Sequence, residues 1–394
     1  MKKILAFVLT VCLFLSCETN VLALSGTKSR ADSLDTYSSA EIEFDYDVKS
    51  AYLMEASTGK VLFAKNEFSA ASIASVTKVM TLLLVCEALE AGKYKLEDIV
   101  TVSAKAASMG GSQVFLEEGE TITVEDLIKS TVIASGNDAS VALAELTAGS
   151  ETAFVKLMNK RATELGLNNT NFENTTGLDD TTTKHYSCAS DIAKISRELI
   201  KHEIILKYSS IWQDTIRNGE FTLTNTNRLV RYYDGCNGLK TGSTDKAGYC
   251  ISATAKRGNM QLIAVVIGAS TRDERNNAAK ALFDYAFANY SLYEVPESFV
   301  ENIDVLAGKK NSVEAYSKGF SVVVEKDKIS RIEMVYDIPE NLVAPLKKSA
   351  IVGSIIYKMD GEQLGKSEIY INESIEKIKI GDLFLRILKR ISCG

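Results

Sequence analysis

Residues 75–78 read Ser75-Val76-Thr77-Lys78 and open an apolar run that extends from Val79 to Cys86. The run has no polar face before Glu87, and a helix without a polar face is a buried one. Ser75 and Lys78 are three residues apart, so a helix places them one above the other on the same face. The sequence therefore predicts a serine–lysine pair at the N-terminal end of a helix that crosses a domain core.

A lysine amine in this position can take the proton of the serine hydroxyl, provided that the amine is neutral. Lowering a lysine pKa from about 10.4 to about 7 corresponds to about 4 to 5 kcal/mol of differential stabilisation. Burial, a helix N-terminus and a second cation all lower a lysine pKa. Ser75 would then be a nucleophile and Lys78 its base. The spacing alone is common on solvated helix faces, so this interpretation depends on other segments of the chain.

The residues around the pair predict an α+β fold. Alternating runs at Ser50 to Glu55 and Lys60 to Lys65 predict two early strands. From Val124 to His202 apolar residues recur at three and four, which predicts a helical insertion. From Cys236 the spacing of the apolar residues changes from helical to strand-like, which predicts three strands. A long helix is expected after them, from Glu274 to Tyr290. We expect an antiparallel sheet with helices packed on it.

A second, small all-β domain is predicted after this part, because all three prolines and several short alternating runs lie beyond Val295. The predicted organisation is a signal peptide (1–23), a flexible leader (24–43), a catalytic domain (44–295), a β-rich stalk (296–373) and an amphipathic C-terminal segment (374–394).

The N-terminus is typical of a secretory signal. Lys2 and Lys3 precede an apolar stretch from Ile4 to Leu15, and small residues at 21–23 form a cleavage site. The stretch is too short to span a bilayer. We therefore expect an exported protein; lipidation at Cys17 stays open as an alternative. A net charge of −6 without a basic run argues against nucleic acid as a partner.

The cysteines that remain after the signal segment show no metal-ligand spacing, and no metal or cofactor is implied. They are odd in number: Cys86, Cys188, Cys236, Cys250 and Cys393. A bridge between Cys236 and Cys250 stays open.

Two further motifs complete the first one. Ser135-Gly136-Asn137 separates two predicted helices and can present a hydroxyl and an amide to a cleft. Lys240-Thr241-Gly242 falls on a predicted strand, where the glycine permits the close approach of a substrate backbone. Taken singly, a helix cap and a hairpin edge explain these triplets. Together with Ser75 and Lys78 they supply the groups that acyl transfer needs.

With these motifs the sequence resembles the low-molecular-mass penicillin-binding proteins, the serine-type D-Ala-D-Ala carboxypeptidases. The resemblance runs from about Phe44 to the C-terminus. It includes the stretch from Asp234 to Tyr249 and the shorter segments Gly111-Ser112, Gly177-Leu178-Asp179 and His185-Tyr186. It implies a penicillin-binding, β-lactamase-like fold, activity on peptidoglycan stem peptides, and inhibition by β-lactams.

The resemblance also implies a role for each site residue. Ser75 would be acylated, Lys78 would be the base in both half-reactions, and Ser135 would relay the proton. The peptide-binding residues would be Asn137, Lys240, Thr241, Gly242, Ser243 and Arg275. Lys240 and Thr241 would bind the terminal carboxylate with Arg275, for which Arg272 and Arg228 are weaker candidates. The N–H groups of Ser75 and Ser243 would form the oxyanion hole.

Several alternatives remain beside the carboxypeptidase. Ser243 stands where some close relatives carry histidine, which affects the expected substrate preference.

A class A β-lactamase would need a deacylating glutamate, for which residues 170–180 offer no convincing candidate. A D,D-endopeptidase or a transpeptidase would share the chemistry. A non-enzymatic wall-binding relative would tend to lack the serine or the lysine. With only His185 and His202, a Ser-His-Asp triad is poorly supplied.

The C-terminal segment predicts contact with a membrane surface. From Asp382 to Ile391 the apolar residues fall on one helical face and the basic ones largely on the other. Ten residues cannot span a bilayer, so the helix would lie in the interface. The expected location is the extracytoplasmic face of the bacterial cell membrane, as a peripheral protein; a helix packed on the β-domain is the alternative.

Overall fold

The computed structural model describes residues 42–179, 182–384 and 391. The predicted signal segment and most of the leader lie outside the described residues, as do residues 385–390 and 392–394 of the predicted C-terminal helix. The domain boundaries drawn from the sequence stay predictions.

The first part of the chain contains both strands and helices, with five successive helices in its middle, and a 3₁₀ turn, Ala74–Thr77, leads into α1. Their bounds are β1 Ser50–Glu55, β2 Val61–Lys65, α1 Lys78–Glu90, β3 Ile99–Thr101, α2 Ala104–Ala107, β4 Thr121–Thr123, α3 Val124–Val132, α4 Asn137–Ala148, α5 Glu151–Glu164, α6 Ala189–Leu199, α7 Glu203–Ser209, β5 Gln213–Ile216, β6 Phe221–Thr224, α8 Leu229–Tyr232, β7 Cys236–Thr244, β8 Gly248–Arg257, β9 Met260–Ala269 and α9 Arg272–Asn289.

The central sheet is antiparallel, with the strand order β2-β1-β9-β8-β7. Both of its faces are covered: on β9, Val265 packs into the core that contains α1, and its neighbour Val266 packs into the core that contains α9. Strands that are buried on both faces are apolar throughout rather than alternating. The α+β prediction, with a helical insertion between early and late strands, is confirmed.

The helix α1 crosses the larger core, where it packs against α3, α4, α5 and α6. One detail differs from the prediction: Ser75 lies in the 3₁₀ turn before α1, and α1 itself begins at Lys78. A 3₁₀ turn has three residues per turn, so it aligns side chains three apart even better than an α-helix does. The predicted pairing of Ser75 with Lys78 therefore holds despite the different backbone.

The second part of the chain is a small all-β domain, as predicted. Its strands are β10 Tyr290–Val295, β11 Ser298–Leu306, β12 Ser312–Ser317, β13 Phe320–Glu325, β14 Ile332–Asp337, β15 Asn341–Val343, β16 Ile351–Met359 and β17 Glu362–Ile371. Six of them form a sheet in the order β14-β16-β17-β12-β11-β15, and β10 pairs with β13. The aliphatic core of this domain includes Ile355, Ile369 and Ile371.

The described end of the chain is helical at residues 380–384. Its apolar side chains face solvent: Ile380 is 90% exposed, Leu383 48% and Phe384 62%. Among the described residues, no helix has both the length and the apolar character needed to cross a membrane. Cys236 and Cys250 are buried free thiols.

Candidate active site

The structure places Ser75 and Lys78 in direct contact where the 3₁₀ turn joins α1. Lys78 Nζ donates to Ser75 Oγ over 2.9 Å. Ser75 is half-buried, whereas Lys78 has no exposed surface. Ser75 is thus partly accessible to solvent, whereas the lysine that contacts it is not.

The Lys78 amine is held by two further acceptors. It donates to Asn137 Oδ1 at 2.6 Å and to the backbone carbonyl of Thr176 at 3.0 Å. Burial lowers the Lys78 pKa well below its usual range, the charge of Lys240 lowers it further, and Asp138 partly opposes them. A buried lysine that is stripped of its proton is a base, so the arrangement supplies what a serine nucleophile needs.

Asn137 connects three segments at this point. Its Nδ2 donates to the carbonyl of Gly110 at 2.6 Å, and its backbone N–H donates to Ser112. Gly111, between them, has a φ of +76°, and a Cβ there would lie 2.8 Å from Asn137 Nδ2. The loop at 110–112 therefore fixes the amide that holds Lys78.

A second loop, residues 170–179 and 182–187, closes on the Ser75 turn from the other side. Gly177 has a φ of +82°, and a side chain there would collide with the carbonyl of Ala74. His185 Nδ1 accepts from the backbone N–H of Glu173 at 3.0 Å, and its Nε2 lies 2.7 Å from Thr77 Oγ1. Burial lowers the His185 pKa to about 4. The imidazole is therefore neutral, and it ties the loop to the turn rather than acting on a substrate.

Ser135 lies two residues before Asn137 in a conformation that side chains rarely adopt, with a φ of +64°. It is 3% exposed, and its Oγ has no hydrogen-bond partner among the residues that the structure describes. In this structure Ser135 Oγ therefore forms no hydrogen bond with Lys78 Nζ. A strained residue with a buried, unpaired hydroxyl is a frequent feature of functional sites.

The Lys240-Thr241-Gly242 triplet lies on β7 against the Ser75 turn. A Cβ on Gly242 would lie 2.7 Å from the backbone nitrogen of Ser75 and 2.8 Å from that of Val76. This contact requires glycine, but the close neighbour is the Ser75 turn of the chain itself, whereas the sequence predicted the approach of a substrate backbone. Ser243, the next residue, is exposed and pairs with Tyr249 across the β7–β8 ladder.

Cations gather at the Lys240 end of the site. Burial and the charge of Arg275 lower the Lys240 pKa to about 7. Arg275, on the first turn of α9, is 3% exposed and donates to Asn276 Oδ1 at 2.9 Å. Burial, then the charges of Arg272 and Arg228, lower the Arg275 pKa to about 10. Buried positive groups whose pKa is lowered by neighbouring positive charges are suited to binding an anion.

Four hydrogen bonds of the site were not predicted. The Asp138 carboxylate accepts the backbone N–H groups of Val114 and Leu116 at 3.0 and 3.1 Å. Thr241 Oγ1 donates to Thr226 Oγ1 at 2.8 Å. Asp179 Oδ2 accepts from Thr244 Oγ1 at 2.6 Å, which connects the second loop to the end of β7. Thr241 and Asp179 belong to segments that the sequence analysis named, Lys240-Thr241-Gly242 and Gly177-Leu178-Asp179, but nothing in the sequence indicated their partners.

The second loop also bears on the β-lactamase alternative. Glu173 is the glutamate within it, and its carboxylate accepts the backbone N–H groups of Thr183 and Lys184, each at 2.9 Å. A deacylating glutamate would have to hold a water beside Ser75. Glu173 instead stabilises a turn of its own loop.

Two family models match the chain. Residues 36–271 match the D-alanyl-D-alanine carboxypeptidase family of peptidase S11. Residues 287–377 match the C-terminal domain of penicillin-binding protein 5. The two matches correspond to the two parts of the fold described above.

Individual proteins that are similar to this chain belong to the same family. The D-alanyl-D-alanine carboxypeptidase DacF of Bacillus subtilis is 45% identical over 356 residues, covering 88% of this chain and 90% of that protein. Penicillin-binding protein 5 from Haemophilus influenzae matches with a TM-score of 0.73 and 33% identity, over 84% of this chain and 98% of that one. Penicillin-binding protein D2 from Listeria monocytogenes, solved with ampicillin bound, matches with a TM-score of 0.57 and 30% identity, over 62% of this chain and 98% of that one. The chain therefore belongs to the D-alanyl-D-alanine carboxypeptidase family and is a serine-type hydrolase of the penicillin-binding kind.

Proposed function

We propose that Ser75 is the nucleophile that releases D-Ala from peptidoglycan stem peptides ending in D-Ala-D-Ala, and that Lys78 is its base. The 2.9 Å contact between Lys78 Nζ and Ser75 Oγ carries this proposal. Neutral Lys78 takes the hydroxyl proton as Ser75 Oγ attacks the carbonyl carbon of the first D-Ala. In the second half-reaction Lys78 takes a proton from water, which hydrolyses the ester and frees Ser75.

In this proposal Ser135 delivers the proton to the leaving amine, and Asn137 holds the stem peptide. The unpaired, buried Ser135 Oγ supports the first role, because substrate would provide the missing partner. Asn137 also carries the Lys78 contact at 2.6 Å. Its position links peptide binding to the base.

The terminal carboxylate is proposed to bind Lys240 and Thr241, with Arg275 behind them. The support is electrostatic: both cations are buried, and each has its pKa lowered by a neighbouring positive charge. A carboxylate that enters this pocket relieves the repulsion. The N–H groups of Ser75 and Ser243 would hold the oxyanion, and Gly242 lets the peptide backbone lie against β7.

Replacement of Lys240 by Met is expected to act on carboxylate recognition. We expect kcat/KM for D-Ala release from a stem peptide with a free terminal carboxylate to fall about 10- to 100-fold, as for one lost charge-assisted hydrogen bond. The same peptide as its C-terminal amide should lose little. The two rates are measured by chromatography of the released amino acid or amino-acid amide.

Lys246→Met provides the matched control for this comparison, since Lys246 is an exposed lysine on the β7–β8 turn. It should leave both substrates unaffected. Equal losses on the free acid and the amide in Lys240→Met would remove Lys240 from the proposed role.

We further propose that the chain is exported and lies on the outer surface of the cell membrane through its C-terminal segment. The supporting observation is the exposure of Ile380, Leu383 and Phe384 at the described end of the chain. Apolar side chains on one helical face bind a bilayer interface, and basic residues add attraction to anionic lipid. The β-domain would then act as a stalk that holds the cleft toward the wall.

Truncation after Lys379 is expected to release the enzyme from anionic vesicles. This end point keeps Ile375, which is 2% exposed, and the bond from Ile378 N–H to the carbonyl of Ala307. The truncated protein should keep its carboxypeptidase activity, while the fraction that sediments with vesicles falls about tenfold or more. Sedimentation of the mature full-length protein provides the reference.

The double variant Leu383→Ser/Phe384→Ser tests the same segment without shortening it and should bind vesicles as weakly as the truncated form. If the full-length protein does not sediment with anionic vesicles at all, the membrane role is wrong.

A further inference from the structure

The segment 226–232, which contacts Thr241, contains two arginines that are not part of the proposed carboxylate pocket, Arg228 and Arg231. Thr226 contacts Thr241 through their hydroxyls at 2.8 Å, and α8 begins three residues later. Arg228 immediately precedes α8, and Arg231 lies within it. Both arginines therefore lie on the segment that follows Thr226, and the charge of Arg228 acts on Arg275 in the proposed carboxylate pocket.

Two aromatic rings hold Arg231 in place. Its guanidinium lies 5.3 Å from the ring centre of Trp212 and 5.7 Å from that of Tyr232. The backbone carbonyl of Trp212 accepts from Asn225 N–H at 2.8 Å, which connects the main chain at Trp212 to the residue before Thr226. Tyr232 is 70% exposed, so this cluster of Trp212, Arg231 and Tyr232 faces solvent. A guanidinium whose faces lie on aromatic rings keeps its N–H edge available for a planar anion.

The cations in this region lack acidic partners. Among the residues that the structure describes, none of five cations forms an ion pair with a carboxylate; they are Lys240, Arg228, Arg231, Arg272 and Arg275. Elsewhere the chain pairs its arginines, for example Arg217 with Glu120 and Arg161 with Glu87. The whole chain has a net charge of −6, so this cationic row stands out against an acidic background.

A D-Ala leaving residue uses only part of this row. Its single carboxylate would occupy Lys240, Thr241 and Arg275, and its methyl group cannot engage Arg228 or Arg231. A leaving residue with a second carboxylate could reach them. Planar, bidentate binding of a carboxylate is the interaction that arginine favours.

We propose that Arg228 and Arg231 form a second anion subsite for a carboxylate on the side chain of the leaving residue, so that the enzyme also cleaves D-Ala bonds to acidic residues. The reaction is the one proposed above, and the inference rests on it. Ser75 Oγ forms an ester with the D-Ala carbonyl as the amide C–N bond breaks. Ser135 delivers to the leaving nitrogen the proton that Lys78 took from Ser75, and water then hydrolyses the ester.

The test compares two peptides, diacetyl-L-Lys-D-Ala-D-Glu and diacetyl-L-Lys-D-Ala-D-Gln, whose leaving residues differ only in side-chain charge. We expect wild-type kcat/KM to be about tenfold higher for the D-Glu peptide, as for one charge-assisted hydrogen bond. The ratio of kcat/KM for the D-Glu peptide to that for the D-Gln peptide should fall toward one in R231Q and in R228Q. For the wild-type enzyme this ratio should decrease in 0.5 M salt. R231Q should release D-Ala from diacetyl-L-Lys-D-Ala-D-Ala at the wild-type rate.

R257Q is the matched control, because Arg257 also lies on aromatic rings, Tyr233 and Phe287, but near Asp234. It should keep the preference for D-Glu. Trp212 is the only tryptophan of the chain, so in S75A the emission should change more with the D-Glu peptide than with the D-Gln peptide.

Equal kcat/KM for the two peptides in the wild-type enzyme would overturn the subsite. So would a preference that persists in the R228Q/R231Q double variant. Both outcomes are distinct from a failure of the proposed function, in which the wild-type enzyme would not release D-Ala from the D-Ala-D-Ala peptide.

Discussion

Replacement of Ser75 by Ala is expected to abolish covalent labelling by penicillin and to lower D-Ala release by about 10⁴-fold or more, because no acyl-enzyme can form. The fold should survive the change. Ser75 is half-buried, and its Oγ accepts one hydrogen bond from Lys78, which keeps its bonds to Asn137 and Thr176. Intact mass after incubation with benzylpenicillin measures the labelling directly, and a melting curve verifies the fold.

Ser210→Ala serves as the control, since Ser210 is an exposed serine at the end of α7. It should label as the wild type does. A full-mass penicilloyl adduct on Ser75→Ala, mapped to any other residue, would show that the nucleophile has been misassigned. Rapid turnover of benzylpenicillin by the wild-type protein would instead favour the β-lactamase alternative.

The sequence predicted the parts of this site that depend on side-chain identity and spacing. Ser75 and Lys78 meet because any helical turn aligns residues three apart. Gly242 lies on a strand, as predicted, but the close contact that excludes a side chain there is with Ser75 N and Val76 N rather than with a substrate. The fold class followed in the same way, from the change of period between the helical insertion and the late strands.

Contacts made by the backbone could not be predicted. Lys78 donates to the carbonyl of Thr176, and every residue type carries a carbonyl. The left-handed conformation of Ser135 likewise has no sequence signal, because serine rarely adopts it. Asp138 looked like an ordinary residue of the first turn of α4, yet its carboxylate holds Val114 and Leu116. Such long-range pairings become visible only when the chain is folded.

Replacement of Lys78 should block acylation itself rather than deacylation alone. Lys78→Met keeps the length of the side chain without the amine, and we expect acylation by penicillin to slow by about 10³- to 10⁴-fold, the usual contribution of general base catalysis. Lys78→Arg should fare no better, because a guanidinium stays protonated and cannot accept the proton. The acylation rate constant is measured by quenched-flow labelling.

The buried position of Lys78 calls for a second readout in case a variant folds poorly. Far-ultraviolet circular dichroism and a melting curve on Lys78→Met establish whether the fold is intact. A folded Lys78 variant that acylates at the wild-type rate would prove that another group takes the Ser75 proton. His185 is not a substitute, since both of its ring nitrogens are engaged within the second loop and the Ser75 turn.

The same two lysines are expected to set the pH dependence of kcat/KM for peptides with a terminal carboxylate. Lys78 acts only when neutral, so activity should fall as pH drops through its lowered pKa. Lys240 binds the carboxylate only when charged, so activity should fall again as pH rises past its pKa of about 7. The profile should thus be bell-shaped. In Lys240→Met the alkaline decline should disappear while the acid decline remains, because Lys78 still has to lose its proton; an unchanged alkaline decline would assign it to another group.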